Sequence, residues 1–333
     1  MNKITNTQHN SILTMLLFSA AAHQAAAADP CASGANPCVL DGAALAPYAG
    51  SSLVVDAPSA TVVLAADLSA SSVSIVAKSV VLHENARLDL SGVLDLTAEQ
   101  LSVAGYATAQ TINVAAGDAT FVGNGTLDVS GRGHAEEAGA GAGVFAPLPN
   151  VVNGFDTYIA NNDPLYSAWV GGSGASHGGM GGDGDASLNA QSRAPYGDLE
   201  APSSFGSGGG EGRVRYFKQS SRNHGYHWRN GVHTYGWYYW SSWGGDYRRD
   251  GGAGGGSINV TVANALVLNG SSTALLADGL AGEDGIRTNT HEQTVAGGGG
   301  GAGGSVYVSA LSFEGSGRVR AAGGAGGSGG YNN

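Results

Sequence analysis

Charge is scarce in this sequence. Asp, Glu, Lys and Arg make up 12% of its 333 residues, about half the roughly 25% of an ordinary soluble domain. Most of the surface must therefore be uncharged. The charge that exists is mainly negative, with 15 Lys and Arg against 26 Asp and Glu and a formal net charge of −11. That balance argues against a general nucleic-acid binder, which needs cations to meet phosphates. Cysteine is nearly absent, with Cys31 and Cys38 alone. No histidine or further cysteine lies near them, so a metal site there is not expected. Long hydrophobic runs are missing too. The longest apolar stretch, residues 12–22, is shorter than the roughly 20 residues a membrane span requires. No phosphate-loop motif and no nucleophile-elbow motif occurs.

What the chain does have is glycine, 57 residues of it. The glycines do not follow a Gly-X-Y period, which excludes collagen. Apolar residues still reach 42%, too many for a simply disordered polar chain. The first residues read as an export signal: Lys3 in a short polar region, the apolar stretch, then Ala26-Ala27-Ala28 as an A-x-A site before Asp29. Residues 1–28 are expected to be removed. Export carries Cys31 and Cys38 into an oxidising compartment, where a disulfide is the default.

Four segments of about 20 residues align with one another. They are Ser72-Val73-Ser74-Ile75 through Gly92, Thr111-Ile112-Asn113-Val114 through Gly131, Ser257-Ile258-Asn259-Val260 through Gly279, and Ser305-Val306-Tyr307-Val308 through Gly323. A degenerate copy, with Leu94, Leu96, Leu101 and Val103 alternating, lies between the first two. Each copy holds three short apolar/polar alternations separated by turns, the period of half-buried strands. Val, Ile and Thr enrichment supports strand over helix. No such strand buries its apolar face alone, whereas stacked copies do. The expected fold is all-β: a right-handed, three-sided parallel β-helix. The rival is a sandwich of antiparallel hairpins.

The expected divisions are an N-terminal cap with the disulfide over 29–48, coils over 49–133, an irregular glycine-rich region over 134–256, and coils over 257–333. The glycine runs 251–256, 297–304 and 323–330 fall between coils and suit sharp corners. No cap is visible at the C-terminal end. That leaves self-association by end-to-end stacking, or a shortened chain, as alternatives.

Several phrases resemble a diffuse family of glycine-rich secreted β-helix proteins, adhesin-like or matrix-like. They include Gly174-Ala175-Ser176-His177-Gly178-Gly179-Met180-Gly181-Gly182, Phe205-Gly206-Ser207-Gly208-Gly209-Gly210 and Gly300-Gly301-Ala302-Gly303-Gly304-Ser305-Val306-Tyr307-Val308. The resemblance implies a secreted or cell-surface shaft. It supplies no catalytic residue.

Residues 212–249 break the pattern. Four of the five tryptophans lie here, with six tyrosines and seven cationic residues against the single acid Asp246. Aromatic rings suit the apolar faces of sugars, and guanidinium groups pair with carboxylate or sulfate. The candidate ligand-binding residues are Trp228, Tyr235, Trp237, Tyr238, Tyr239, Trp240 and Trp243, with Arg213, Arg215, Arg229, Arg248 and Arg249. The expected partner is an extracellular polysaccharide or cell-surface glycan. The alternative is a loop that packs its aromatics on the β-helix and docks its cations on the acidic body. His224, His227 and His233 lack a carboxylate or cysteine that completes a metal pattern. Gly181-Gly182-Asp183-Gly184-Asp185 approaches a calcium repeat but has Ala186 where Asp is needed. No metal and no cofactor is therefore expected. A polysaccharide lyase or hydrolase remains the enzymatic alternative, with Asp183, Asp185, Asp198, Glu200 and Glu211 as candidate carboxylates and Arg213 or Arg215 as charge stabilisers.

Overall fold

A computed structural model describes residues 29–32, 34–144, 165–183, 191–229, 232–285, 287–288, 293–294 and 296–328. The expected export signal, residues 1–28, lies outside the described residues.

The chain is a parallel β-helix. It opens with β1 (Cys38–Leu40), a one-turn helix α1 (Gly42–Leu45) and a 3-10 turn over Ala46–Tyr48. Asp41 caps α1, its carboxylate accepting from the amides of Ala43 and Ala44. Four coils follow without interruption: β2 (Ser52–Leu64) and β3 (Leu68–Ala70); β4 (Ser72–Leu82) and β5 (Arg87–Leu90); β6 (Val93–Val103) and β7 (Tyr106–Thr108); β8 (Thr111–Val122) and β9 (Thr126–Asp128). An antiparallel insertion comes next, β10 (Leu165–Val170), β11 (Gly212–Arg229) and β12 (Val232–Arg249). The fifth coil is β13 (Ser257–Val262), β14 (Ala265–Asn269) and β15 (Ala274–Leu276). A two-residue pair, β16 (Arg287–Thr288) and β17 (Gln293–Thr294), precedes the sixth coil of β18 (Ser305–Ser309), β19 (Ser312–Gly315) and β20 (Arg318–Arg320).

Every pairing between coils is parallel. The antiparallel sandwich is thereby excluded. The three sides arise because β2, β4, β6 and β8 each turn a corner. The pairing of β6 with β8 runs from Val93↔Thr111 to Ala98↔Ala116 and resumes at Gln100↔Asp118. Gly117 occupies the skipped position, where a β-carbon would stand 2.5 Å from the Glu99 carbonyl oxygen. In the fifth coil the same corner separates β13 from β14.

Alternation gives each coil the same inward set. Leu53, Val73, Leu94, Ile112 and Ile258 stack on one side, and Leu68, Leu88, Ala107, Leu127 and Leu275 on another. All are buried. Burying one such aliphatic chain contributes about 1.5–3 kcal/mol relative to leaving it in water. Volume varies within a rung: the small Ala119 sits two residues from Phe121, the largest fully buried side chain. The Cys31–Cys38 disulfide is present, with a Cα–Cα distance of 5.7 Å. It ties Cys31 beside β1, whose Leu40 pairs with Leu64 and, with Leu45 and Tyr48, closes that end of the core.

The glycine runs do lie between coils, but they do not simply turn corners. They form a second ordered body. Residues 297–304, which belong to no helix or strand, run through its middle. Gly298, Gly301 and Gly304 donate to the carbonyls of Glu283, Leu280 and Ala277 (3.0, 2.9 and 2.6 Å). Gly299 and Ala302 donate to Gly210 and Ser207 (2.8 and 2.9 Å). Their own carbonyls accept from Gly252 and Gly255, while those of Gly298 and Gly301 accept from Gly327 and Gly324. The carbonyls of Gly297 and Gly300 accept from Gly172 and Ala175. Each neighbour is met at every third residue, the repeat of an extended threefold polyproline-II-type helix with no internal hydrogen bonds. Five neighbouring segments surround this one. The region expected to be irregular, 134–256, thus contributes segments to a packed bundle as well as the antiparallel insertion.

Candidate functional site

The candidate site residues lie on the three-stranded antiparallel sheet β10–β11–β12. Arg213, Arg215, Trp228 and Arg229 belong to β11; Tyr235, Trp237, Tyr238, Tyr239, Trp240, Trp243, Arg248 and Arg249 belong to β12. What the sequence suggested was a loop is a hairpin with arms of 18 residues each. The two residues between the arms are Asn230 and Gly231, which lie outside the described residues. Asn-Gly between two aromatic-rich runs is the strongest short-range hairpin signal in a sequence, and it identifies the element once it is looked for. β10 was missed for another reason: Leu165-Tyr166-Ser167-Ala168-Trp169-Val170 does not alternate cleanly.

Among the described residues, β10 pairs with Arg213–Lys218 of β11, and beyond Lys218 the two arms pair with each other alone. From Gln219 to Arg229 they make a two-stranded ribbon about 35 Å long at roughly 3.4 Å per residue. Its register is continuous from Ser221↔Trp240 to Arg229↔Val232. Directly opposite residues share a face, as do their neighbours two along. One face therefore carries Arg222↔Tyr239, His224↔Trp237, Tyr226↔Tyr235 and Trp228↔His233. The other carries Ser221↔Trp240, Asn223↔Tyr238, Gly225↔Gly236, His227↔Thr234 and Arg229↔Val232. The candidate aromatics are thus split: Trp228, Tyr235, Trp237 and Tyr239 fall together, and Tyr238 and Trp240 fall opposite. Trp243 pairs with Phe217, nearer the base.

The base of the hairpin is an ion-pair cluster. Arg213 and Arg248 stand directly opposite each other in register, a like-charge pairing that destabilises a sheet. The carboxylate of Glu211 offsets it. Glu211 is buried, accepts from Arg213 through a short contact, and accepts from Arg248 at 3.3 Å. Arg249 reaches Glu283 at 3.3 Å. Three of the five candidate arginines therefore anchor the hairpin to the glycine bundle. Beside them Glu136 accepts from the Gly251 amide at 3.1 Å. Burial, and then the neighbouring Asp250 carboxylate, hold its own carboxyl above the usual range.

The other candidate carboxylates have local duties. Asp198 accepts from the amides of Glu200 and Ala201, which lowers its pKa. Asp183 accepts from the amide and hydroxyl of Ser192 at 2.8 and 3.1 Å. Asp185 lies outside the described residues. A buried polar centre that the sequence did not single out is His177. Its Nδ1–H donates to the Gly303 carbonyl at 2.9 Å, and its Nε2 accepts from the Ser204 hydroxyl at 2.9 Å. Tyr196 lies against its ring at 4.8 Å between centroids. Burial lowers its pKa, so the neutral ring is a structural bridge between the bundle segments 171–182 and 297–304.

Among the described residues no helix is long and apolar enough to cross a membrane. Compared with protein families, with curated proteins and with solved structures, the chain matches none.

Proposed function

We propose that this protein is an exported or cell-surface binding protein that engages an anionic polysaccharide through the aromatic face of the β11–β12 ribbon. The observation that carries this reading is the register of the ribbon, in which Arg222, Tyr226, Trp228, Tyr235, Trp237 and Tyr239 share one face. A row of aromatic residues along an extended strand pair suits stacking on the apolar faces of sugars, and an arginine in the row can meet a carboxylate or sulfate. The β-helix serves as the rigid body from which the ribbon projects. Three arginines of the candidate set, Arg213, Arg248 and Arg249, are engaged at the base, so the cation assigned to the ligand is Arg222, on the aromatic face. Export is supported by the N-terminal signal pattern and the Cys31–Cys38 disulfide. The adhesin-like resemblance of the glycine phrases agrees with the same setting.

The test compares the two faces. Affinity for an acidic polysaccharide is measured by titration calorimetry for the wild type, for Tyr235→Ala/Trp237→Ala and for Tyr238→Ala/Trp240→Ala. The first variant is expected to bind about tenfold or more weakly, a loss of about 1.4 kcal/mol or more. The second should stay close to wild type. Equal affinities for all three proteins would sink the assignment.

A further inference from the structure

One corner of the β-helix is uneven. Its second and third sides are joined by four residues in the second coil (83–86), two in the third (Ala104 and Gly105), three in the fourth (123–125) and four in the fifth (270–273). The short link lies deep because Gly105 has no side chain: a β-carbon there would stand 2.3 and 2.4 Å from the carbonyl oxygens of His83 and Ala86. The longer links stand above it on either side. Between them is a notch of about 380 Å³, within the roughly 300–1,000 Å³ of small-molecule sites. Ala104 and Gly105 form its floor. Glu84, Asn85 and Arg87 line it from one coil, and Asn124 and Ser272 from the two coils beyond. Elsewhere on the β-helix polar side chains pair from coil to coil, as Asn113 does with Asp95 (2.8 Å) and Asn264 with Asp118 (3.3 Å). In the notch, among the described residues, none of these five side chains makes a hydrogen bond or an ion pair with the protein. Arg132 and Arg320 are each paired with an acid, Asp89 and Asp278. Arg87 instead lies over the ring of Tyr106, its Cζ 4.5 Å from the centroid, and the Tyr106 hydroxyl donates to Asp128 at 2.7 Å. The ring holds the cation in place while its guanidinium N–H groups stay unspent.

We propose that the notch binds one carboxylate-bearing sugar ring, Arg87 pairing with its carboxylate and Glu84, Asn85, Asn124 and Ser272 meeting its hydroxyls. The chemistry of the lining selects this class. A planar guanidinium meets a carboxylate through two parallel hydrogen bonds. Side-chain amides and a serine hydroxyl both donate and accept, as sugar hydroxyls do. The Glu84 carboxylate only accepts, which suits a hydroxyl and repels a multiply charged phosphate. Because Asp128 fixes Tyr106 and Tyr106 fixes Arg87, little side-chain freedom is lost when the ligand enters. The notch is built from β-helix coils and shares no residue with the β11–β12 ribbon, so it stands or falls apart from the ribbon reading.

Titration with glucuronic acid, followed through the amide resonances of residues 84–87, 105 and 124–126, tests it beside titrations with glucose and with inorganic phosphate. Saturable shifts at those amides are expected with glucuronic acid, and glucose and phosphate should bind about tenfold or more weakly, since each lacks one half of the match. Arg87→Gln should weaken glucuronic acid about tenfold or more through loss of a charge-assisted contact. It should also abolish the preference over glucose, while unchanged resonances of β8 and β13 show that the fold is kept. Arg318→Gln removes an equal charge outside the notch and should have no effect. No saturable shift at the notch amides overturns the proposal. So does phosphate binding as tightly as glucuronic acid, or an Arg87→Gln variant that binds as the wild type does. Shifts confined to β11–β12 overturn it and leave the ribbon reading intact. The Tyr235→Ala/Trp237→Ala variant should titrate at the notch as the wild type does, which keeps the two sites apart.

Discussion

At Gly299 the chain has no room for a side chain. A β-carbon there would collide with the carbonyl of Ser173, and one on Gly301 would collide with that of Ala253. The requirement is for closeness of backbones, since neither glycine needs a left-handed conformation. It is the reason that glycine occupies successive positions of 297–301: threefold repetition turns each residue toward a different neighbour, and every neighbour is close. Gly326 lies in the same bundle yet has open space, with the nearest atom to a β-carbon, the Gly298 carbonyl oxygen, 3.9 Å away. Gly299→Ala is therefore expected to lower stability by about 1–3 kcal/mol, the range for overpacking. Gly326→Ala should leave it unchanged or raise it by up to about 1 kcal/mol through the unfolded chain. Denaturant unfolding of the two variants checks this. Similar losses in both would mean that crowding of backbones does not hold the bundle.

At the scale of elements, the N-terminal cap is built from very short pieces. β1 is three residues long and α1 four, so the disulfide supplies much of its order. The cysteines are seven residues apart. Closing so short a loop removes about 2–3 kcal/mol of chain entropy from the unfolded ensemble. Cys31→Ser/Cys38→Ser should speed amide exchange across β1 and the paired half of β2 while β8 stays unchanged, because coils transmit stability mainly to their neighbours. Uniform loss of protection in β8 would contradict that. The coils themselves were legible because Ile112, Val114, Phe121 and Leu127 alternate with polar residues, and a period of two identifies a half-buried strand. The first coil, 52–70, is not among the aligned copies, and Pro58-Ser59-Ala60 lengthens its corner, with a register shift between Ala57 and Thr61. The ribbon was legible in composition but not in geometry. Aromatic content drew attention to residues 212–249, whereas the split of Trp237 from Trp240 between two faces follows from pairing register, which no single strand records. Glu211 stood in the sequence as one of five candidate carboxylates, and its burial between Arg213 and Arg248 was not legible there, because the hairpin brings Arg248 back to it.

Across the whole molecule, β-helix and glycine bundle are built from the same continuous segments. Residues 251–256 leave the bundle to become β13, and residues 297–304 leave it to become β18; β15 and β20 run back into it as 277–285 and 321–328. Asp278 marks one such passage, accepting from the Ala322 amide and the Arg320 guanidinium, both at 2.7 Å. This sharing makes the fifth and sixth coils depend on the bundle, whereas the first three coils stack directly on the capped end. The bundle itself was invisible to sequence reading, because a run of identical glycines carries no periodicity to reveal which neighbour each residue meets. Amide exchange separates this picture from a flexible glycine linker. The amides of Gly298, Gly299, Gly301 and Gly304 each donate to a carbonyl of another segment, so they should exchange on the slow timescale of β13 and not with the rate of free chain. The Gly299→Ala variant should then lose protection in β13, β15 and β18 together, with β4 and β6 little changed. Rapid exchange of the 298–304 amides in the wild type would mean that the contacts are not kept in solution. Loss of protection spread evenly through β4 and β6 would mean that the bundle stabilises every coil and not only those threaded through it.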